Sequence, residues 1–348
     1  MPKARKHLIS LEATSYYHCV SRCVRRAFLC GYDTYSDTSY EHRRQWVEDR
    51  ILELGSVMCV EVLAYAVMSN HLHVVLRADA AEALSLTNDE VIARWHQLYL
   101  GTTESRKYVE GLPFDETESA RLEESIATWR ERLFDISWFM RALNEPIARQ
   151  ANLEDKCTGK FWESRFKSQA LVGDEAILSC MVYVDLNPVR AKMAEFPEES
   201  DYTSIKKRIR AAADNKTPEG LADLAKSSCS VANEPSEVVD KTASTSDQVK
   251  ATASKFKDEL PITLASYIEL VDATGRLIKE NKRGAIDRAG PPILERLGIQ
   301  RDQWKILATQ FESRFKHIAG TKEKLTTASA IFGLKRRPGL SAANLLFG

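Results

Sequence analysis

Two histidines one residue apart are the clearest candidates for chemistry in this chain. His71 and His73 lie in the stretch MSNHLHVVL, residues 68–76. Because successive side chains of a strand alternate between its two faces, both imidazoles are expected on one side, while Leu72 and Val74 face the other. Two imidazoles on a rigid strand can hold one divalent metal ion and leave coordination positions for a phosphate and water. The alternative is a pair of hydrogen-bonded structural histidines, which so short a motif does not exclude.

A tyrosine more than a hundred residues downstream is the second candidate. Residues 174–190 carry apolar side chains at helical spacing, and Asp174 is the expected N-cap. Tyr183 and Asn187 are four residues apart and share a face of this helix, which Pro188 is expected to end or kink. A phenol is a poor nucleophile until a base, a metal or a neighbouring charge activates it. The alternative is therefore an ordinary core tyrosine.

Basic side chains near aromatic ones mark candidate nucleic-acid contacts. Arginines follow the first predicted strand, and the stretch GKFWESRFKS at 159–168 alternates cations with aromatic rings. Aromatic faces stack unpaired bases and cations pair with phosphates, although the same aromatics are equally expected in a core. The predicted DNA contacts are Arg22, Arg25, Arg26, Lys160, Trp162, Arg165, Lys167 and Arg190. A further cluster, at 335–337, is expected to be a solvated surface.

Three motifs in a fixed order carry a resemblance to a known family. They are SNHLH at 69–73, GKFWESRFKS at 159–168 and YVDLNPVRA at 183–191. In this order they resemble the motifs of the single-tyrosine HUH transposases, and more narrowly those of the REP-associated tyrosine transposases, which are related to insertion-sequence transposases. The resemblance covers residues 8 to 210.

The resemblance implies a reaction and roles for four residues. It implies that His71 and His73 bind a divalent ion, Mg or Mn, and that Asn187 completes the metal site. It also implies that Tyr183 attacks the scissile phosphate of single-stranded or hairpin DNA and forms a 5'-phosphotyrosine intermediate. Since two imidazoles and an amide carry no negative charge, metal affinity without DNA is expected to be weak.

The predicted fold class is α+β: a ferredoxin-like HUH domain with an antiparallel sheet and flanking helices, plus a C-terminal helical module. The HUH domain is assigned to 1–210, with a helical insertion at about 80–135. A strand at 57–67 and the histidine strand are expected to form a hairpin at the centre of the sheet. Residues 211–258 are poor in aromatics and are predicted to be a flexible linker before the module at 259–348. Within the module, helices are predicted at 264–280, 292–297, 302–319 and 325–332. The third of them carries an apolar stripe, Trp304, Leu307, Phe311 and Phe315, which needs a packing partner.

Composition limits the remaining choices. The chain of 348 residues has 49 basic and 49 acidic side chains, so DNA binding would depend on local positive surface. Seven cysteines without a Cys-x-x-Cys pair favour structural thiols over zinc, although Cys19, Cys23 and Cys30 lie near His18. A reducing, cytoplasmic location is expected, with no membrane segment.

Two functional alternatives and one question of assembly stay open. One alternative is a domesticated DNA- or RNA-binding regulatory protein with little or no catalysis. The other is a zinc-dependent hydrolase that uses His71 and His73 and does not need Tyr183. Homodimerisation is left open, because relatives in the family include dimers and monomers.

Overall fold

A five-stranded sheet carries both candidate histidines. A computed structural model describes residues 8–24, 29–34, 37–224, 260, 262–279, 294–295, 297–334 and 336–347. The strands in these residues are β1 (Tyr16–Arg22), β2 (Tyr32–Asp33), β3 (Thr38–Ser39), β4 (Val60–Val67), β5 (His71–Ala78), β6 (Lys167–Val172) and β7 (Ile318–Gly320). The helices are α1 (Arg43–Val57), α2 (Ala80–Ser85), α3 (Asn88–Leu98), α4 (Thr103–Val109), α5 (Glu116–Leu133), α6 (Ile136–Glu154), α7 (Asp174–Asp185), α8 (Asn187–Arg190), α9 (Ser204–Ala213), α10 (Leu264–Lys279), α11 (Arg301–Arg314), α12 (Lys322–Ile331) and α13 (Leu340–Leu346). Strands and helices together give the α+β class that the sequence predicts.

The strand order of the sheet is β4-β5-β1-β6-β7, and β2 and β3 form a separate ribbon. All neighbours in the large sheet are antiparallel except β6 and β7, so the sheet is mixed and the prediction of an antiparallel sheet needs correction. The prediction that the β4–β5 hairpin forms the centre is also wrong, because β4 lies at the edge and β1 pairs with β5 on its other side. Periodicity within one strand does not identify a distant pairing partner.

The outer edge of β4, which has no neighbouring strand, is covered by the residues around the start of α9. Thr203 forms a bridge with Ala66, and the hydroxyl of Ser204 accepts a hydrogen bond from the amide of Tyr65 at 3.1 Å. Arg208 also donates to the carbonyl of Leu63 at 2.7 Å. These contacts satisfy backbone groups that an open sheet edge would leave unpaired.

Helices cover both faces of the sheet. On one face, Tyr65 of β4 donates to Glu48 of α1 at 2.8 Å, and Asn144 of α6 donates to Ser21 of β1 at 2.9 Å. On the other face α7 packs over β4, β5 and β6. The histidines project to the α7 side, because His73 pairs with Val20 and therefore lies opposite the face that carries Ser21.

The region at about 80–135, which the sequence predicts as a helical insertion, contains four helices, α2 to α5. Three of them begin with a capping box, in which Thr87, Thr102 and Asp115 each bond the amide three residues on. The rings of Trp95 and Trp129 stack at 5.4 Å between centroids, which joins α3 to α5. These interactions join residues within the segment itself, so its helical character can be predicted from its own sequence.

The C-terminal region joins the core of the first part of the chain. The predicted helix at 302–319 is wrong at its end, because α11 stops at Arg314 and β7 then adds a parallel strand to β6. Both α10 and α11 pack against α7. Tyr267 of α10 donates to the buried carboxylate of Asp185. The segment is therefore not purely helical, and the proposed domain boundaries stay a prediction.

Only the beginning of the predicted linker can be described. α9 continues to Ala213, and the amide of Ala222 donates to Val62 of β4 at 2.9 Å, with Leu221 and Leu224 buried. Residues 225–258 of the predicted linker lie outside the described residues. No helix in the described ranges combines the length and apolar character needed to cross a membrane.

Candidate active site

A row of polar side chains from three strands lies on the face of the sheet beneath α7. Residues that pair across antiparallel strands share a face, and the register pairs Arg22 with His71 and His18 with Gln169. Alternation along each strand brings the remaining members to the same side. The row consists of His18 and Arg22 on β1, His71 and His73 on β5, and Lys167 and Gln169 on β6.

α7 brings Tyr183 to this row. The ring of Tyr183 lies 6.2 Å from that of His73 and 6.4 Å from that of His18, measured between centroids. The helix ends at Asp185, and a separate short helix begins at Asn187. Pro188 has no amide hydrogen, and in a continuous helix its ring would clash with the carbonyl of Val184, which explains this break. The structure thus places the predicted nucleophile beside a predicted metal ligand.

The start of α7 differs from the sequence prediction. Gly173 is the N-cap residue, with φ of 95°, and Asp174 lies in the first turn instead of capping it. A positive φ of this size favours glycine, because a side chain would be strained there. Asp174 still lies at the positive end of the helix dipole.

Hydrogen bonds leave the Nε2 atom of each predicted ligand histidine available. The Nδ1 atom of His71 is 2.6 Å from the side-chain oxygen of Asn70, and Nδ1 of His73 is 2.9 Å from Nε2 of His18. An amide oxygen only accepts, so Nδ1 of His71 carries the proton and its Nε2 holds a lone pair. The two rings lie 4.9 Å apart between centroids.

Burial keeps these imidazoles neutral at pH 7. It lowers the pKa of His71 to about 4, and Arg22 lowers that pKa further while Glu312 opposes the shift. Burial also holds the pKa of His73 and of His18 below the ordinary value. Neutral imidazole is the form that binds a metal, so binding would release no proton from either histidine of the motif.

Asn187 does not present its oxygen as the sequence prediction requires. Its Oδ1 accepts a hydrogen bond from Nη2 of Arg190 at 2.7 Å. Its Nδ2 atom is buried and has no hydrogen-bond partner within the described residues. The amide therefore offers a donor to an incoming acceptor, such as a phosphate oxygen, and its role as a metal ligand would require Arg190 to release it.

Arg190, a predicted DNA contact, joins the tyrosine helix to the C-terminal region by hydrogen bonds. Its Nη1 atom donates to the carbonyl of Tyr183 at 2.6 Å and to that of Ala308 in α11 at 3.0 Å. The guanidinium carbon lies 3.9 Å from the centre of the Tyr183 ring, in cation–π geometry. With its donors engaged in this way, Arg190 has a structural role that the DNA-contact prediction did not anticipate.

The two histidines fit a weakly held metal ion whose remaining ligands would come from the substrate. Two imidazole Nε2 atoms suit a divalent metal, and both belong to one strand. No group of three or more His, Cys, Asp or Glu side chains in the described ranges is arranged to hold an ion. A tightly bound tetrahedral zinc, which needs three or four such ligands, is therefore not favoured by these residues.

α11 contributes to the site two residues that were not predicted to lie there from the sequence. Phe311 is fully buried with its ring 6.0 Å from that of Tyr183, which is only 9% exposed. Burial raises the pKa of Tyr183, and Arg190 lowers it. The neighbouring Glu312 is half-buried, and its carboxylate raises the pKa of Tyr183 further. The apolar stripe of α11 was visible in the sequence, but the element it covers was not.

The predicted DNA contacts differ in exposure. Arg22, Lys160, Arg165 and Lys167 are exposed, whereas Trp162 is half-buried and donates from Nε1 to the carbonyl of Asn144 at 2.8 Å. Arg22 and Lys167 belong to the polar row beside the histidines. Arg25 and Arg26 lie outside the described residues.

The backbone of the second motif is paired with the end of β1. The amide of Val24 donates to the carbonyl of Phe161 at 3.0 Å, and the amide of Glu163 donates to that of Arg22 at 2.8 Å. Cys23 and Trp162 form a bridge between these bonds. The second motif is thus held next to the strand that carries Arg22.

Comparisons with known proteins add little to this description. No protein-family profile matches the chain, and no curated protein matches its sequence. Among solved structures, a REP-associated tyrosine transposase bound to a REP hairpin is similar at 12% identity with a TM-score of 0.35, covering 69% of this chain and 100% of the other. A TM-score of this size does not establish a shared fold.

Proposed function

We propose that the protein is a divalent-metal-dependent endonuclease and strand transferase, a transposase, acting on single-stranded or hairpin DNA. The observation that carries the proposal is the position of Tyr183, whose ring lies 6.2 Å from His73 on the face where His71 and His73 both offer Nε2. The connectivity supports it. The order β4-β5-β1-β6, with helices between β1 and β4 and after β5, agrees with the order expected of the proposed ferredoxin-like β-α-β-β-α-β unit.

In the proposed reaction the phenolic oxygen of Tyr183 attacks the scissile phosphorus. A bond forms between this oxygen and phosphorus, and the bond to the 3' oxygen breaks, so the 5'-phosphate stays on the tyrosine and a 3'-hydroxyl leaves with a proton. A bound Mg²⁺ or Mn²⁺ would neutralise negative charge on the phosphate. The phosphotyrosine ester can later pass the strand to another 3'-hydroxyl, so no nucleotide cofactor is needed.

The chain's own residues have distinct parts in this proposal. Arg22 and Lys167 lie exposed in the polar row and can pair with DNA phosphates. Nδ2 of Asn187, which has no hydrogen-bond partner in the part of the chain that the structure describes, can donate to a phosphate oxygen. Because Tyr183 is 9% exposed and Phe311 packs against it, the contact between these two rings must open when DNA reaches the phenol.

The test is a labelled hairpin oligonucleotide with single-stranded flanks, incubated with the protein and Mg²⁺ or Mn²⁺. A label on the 3' end of the strand should become attached to the protein and survive denaturation, whereas a 5' label should not. Tyr183→Phe should bind the hairpin but form no adduct. Tyr202→Phe, at a tyrosine outside the polar row, is the matched control and should react normally. Absence of any adduct across varied hairpins would reject the proposal.

A regulatory nucleic-acid-binding protein is the second candidate. It is favoured by the burial of Tyr183, which raises the pKa of its phenol and so disfavours the phenolate. This candidate predicts that hairpin binding, measured by fluorescence anisotropy, is equal in the wild type and Tyr183→Phe and does not depend on a divalent metal. The adduct experiment separates it from the first candidate.

A further inference from the structure

A chain of hydrogen bonds runs from His73 to the backbone of the C-terminal region. Nδ1 of His73 lies 2.9 Å from Nε2 of His18, and Nδ1 of His18 lies 3.2 Å from Oε1 of Gln169. Nε2 of Gln169 then donates to the carbonyl of Phe315, which directly follows α11. His18 and Gln169 are 2% and 4% exposed, so water does not substitute for these partners.

The carbonyl of Phe315, the last acceptor in this series of hydrogen bonds, determines which atom donates in each of the earlier bonds. A backbone carbonyl can only accept, so the amide of Gln169 must present its nitrogen to Phe315 and its oxygen to His18. An amide oxygen also only accepts, so Nδ1 of His18 must carry the proton. A neutral His18 then has a lone pair on Nε2 and accepts from Nδ1 of His73, which leaves the lone pair of His73 on Nε2.

Burial keeps His18 neutral in this arrangement, although the half-buried carboxylate of Glu312 acts against it. Each hydrogen bond of its ring goes to a neutral group, the amide of Gln169 and the ring of His73. A buried imidazolium without a carboxylate partner would be strongly disfavoured. The planes of the two histidine rings differ by only 11°, so the bond between them also fixes the rotation of His73.

We propose that His18 and Gln169 are positioning residues that hold His73 in the Nδ1–H tautomer, and that the carbonyl of Phe315 anchors them. The inference rests on the proposed function, because it assigns Nε2 of His73 to the metal. Metal-binding histidines commonly donate their second ring nitrogen to a group behind them, and loss of that group weakens metal binding. Here the group is a second histidine, and the C-terminal region sets its orientation.

The inference gives the C-terminal region a defined part in the site. The carbonyl of Phe315 lies between α11 and β7, where Ala170 of β6 donates to the carbonyl of His317 at 2.8 Å. Pairing of β7 with β6 thus fixes the position of the last acceptor. Without this segment Gln169 could rotate, and the tautomer of His18 would no longer be determined.

The direct test measures tautomers in the protein without metal or DNA. Long-range ¹⁵N–¹H spectra of protein labelled at its histidines distinguish Nδ1–H from Nε2–H imidazole, and His73→Asn identifies the signal. The wild type should show His73 as the Nδ1–H form. An Nε2–H form of His73 in the wild type would overturn the inference, whatever the protein does to DNA.

Variants of His18 separate positioning from packing. His18→Phe keeps a buried ring but removes the acceptor, so His73 should populate both tautomers. His18→Gln keeps an acceptor towards His73 and a donor towards Gln169, so it should restore the Nδ1–H form. A pure Nδ1–H signal in both His18→Phe and Gln169→Leu would overturn the inference, and near-ultraviolet circular dichroism checks that each variant is folded.

Metal binding provides the second readout. Affinity for Mn²⁺ alone, measured by electron paramagnetic resonance, should fall roughly ten- to hundredfold in His18→Phe and change less than about threefold in His18→Gln. Equal losses in both variants would mean that packing, and not hydrogen-bond polarity, matters. If the tautomers behave as expected but no Mn²⁺ binds and no DNA adduct forms, the proposed function fails while the tautomer assignment stands.

Discussion

Replacing Arg190 tests whether the tyrosine helix is clamped to the C-terminal region. In Arg190→Ala, three hydrogen bonds from a charged donor are lost, to the carbonyls of Tyr183 and Ala308 and to the side chain of Asn187. At about 1.5–3 kcal/mol each, these bonds stabilise the fold by about 4.5–9 kcal/mol before the cost of burying the cation is counted. Burial lowers the pKa of Arg190, so removal of the charge relieves part of that cost.

The net loss in the free energy of unfolding is therefore expected to be about 3–5 kcal/mol, as for other broken buried charge networks. Urea titration followed by tryptophan fluorescence measures it. Arg276→Ala, which removes an exposed ion pair within α10, is the matched control and should change stability by less than about 1 kcal/mol. Arg190→Lys keeps the charge without the planar fork and should fall between the two. A loss below about 1 kcal/mol in Arg190→Ala would refute the clamp.

Three further predictions concern stability and DNA binding. Asp185 is fully buried and accepts hydrogen bonds from α9 and α10, so Asp185→Ala should lower the free energy of unfolding by about 3 kcal/mol; Asp201→Ala, which breaks an exposed ion pair, should lower it by less than about 1 kcal/mol, and equal losses would contradict this. The pKa of His71 falls from 6.5 to about 4 on folding, so its contribution to stability is complete above pH 6.5 and declines towards pH 4, by at most about 3 kcal/mol. The urea midpoint should therefore differ less between pH 7 and pH 5 in His71→Asn than in the wild type. An equal difference in both proteins would exclude the shift. Arg22→Ala and Lys167→Ala should each weaken single-stranded DNA binding and reduce the slope of log affinity against log salt by about 0.7, measured by anisotropy; unchanged slopes would place both residues outside the interface.

The features of the candidate site that depend on a single strand or helix can be predicted from the sequence. Alternation along β5 predicts that His71 and His73 share a face, and helical spacing predicts that Tyr183 and Asn187 lie near a break in α7. Both inferences need only the geometry of one element. They do not reveal that Arg190 binds the oxygen of Asn187, because that bond depends on the rotamers at the helix break.

The remaining features of the site depend on contacts between segments that are distant in the sequence. His18 meets His73 only because β1 pairs with β5 in one register, and Gln169 joins them only because β6 pairs with β1. The strand β7 was predicted as the end of a helix, since three residues give too little alternation to mark a strand. The contact of Phe311 with Tyr183 could not be predicted either, because an apolar stripe does not identify its partner.

Mapping the covalent bond to one residue tests the central claim most directly. Trypsin should release residues 168–190 as one peptide, in which Tyr183 is the single tyrosine. After reaction with hairpin DNA and Mn²⁺ and digestion of the DNA, mass spectrometry should find this peptide carrying a nucleotide 5'-phosphate on Tyr183. A nucleotide attached to another residue, or cleaved DNA with this peptide unmodified, would contradict the account.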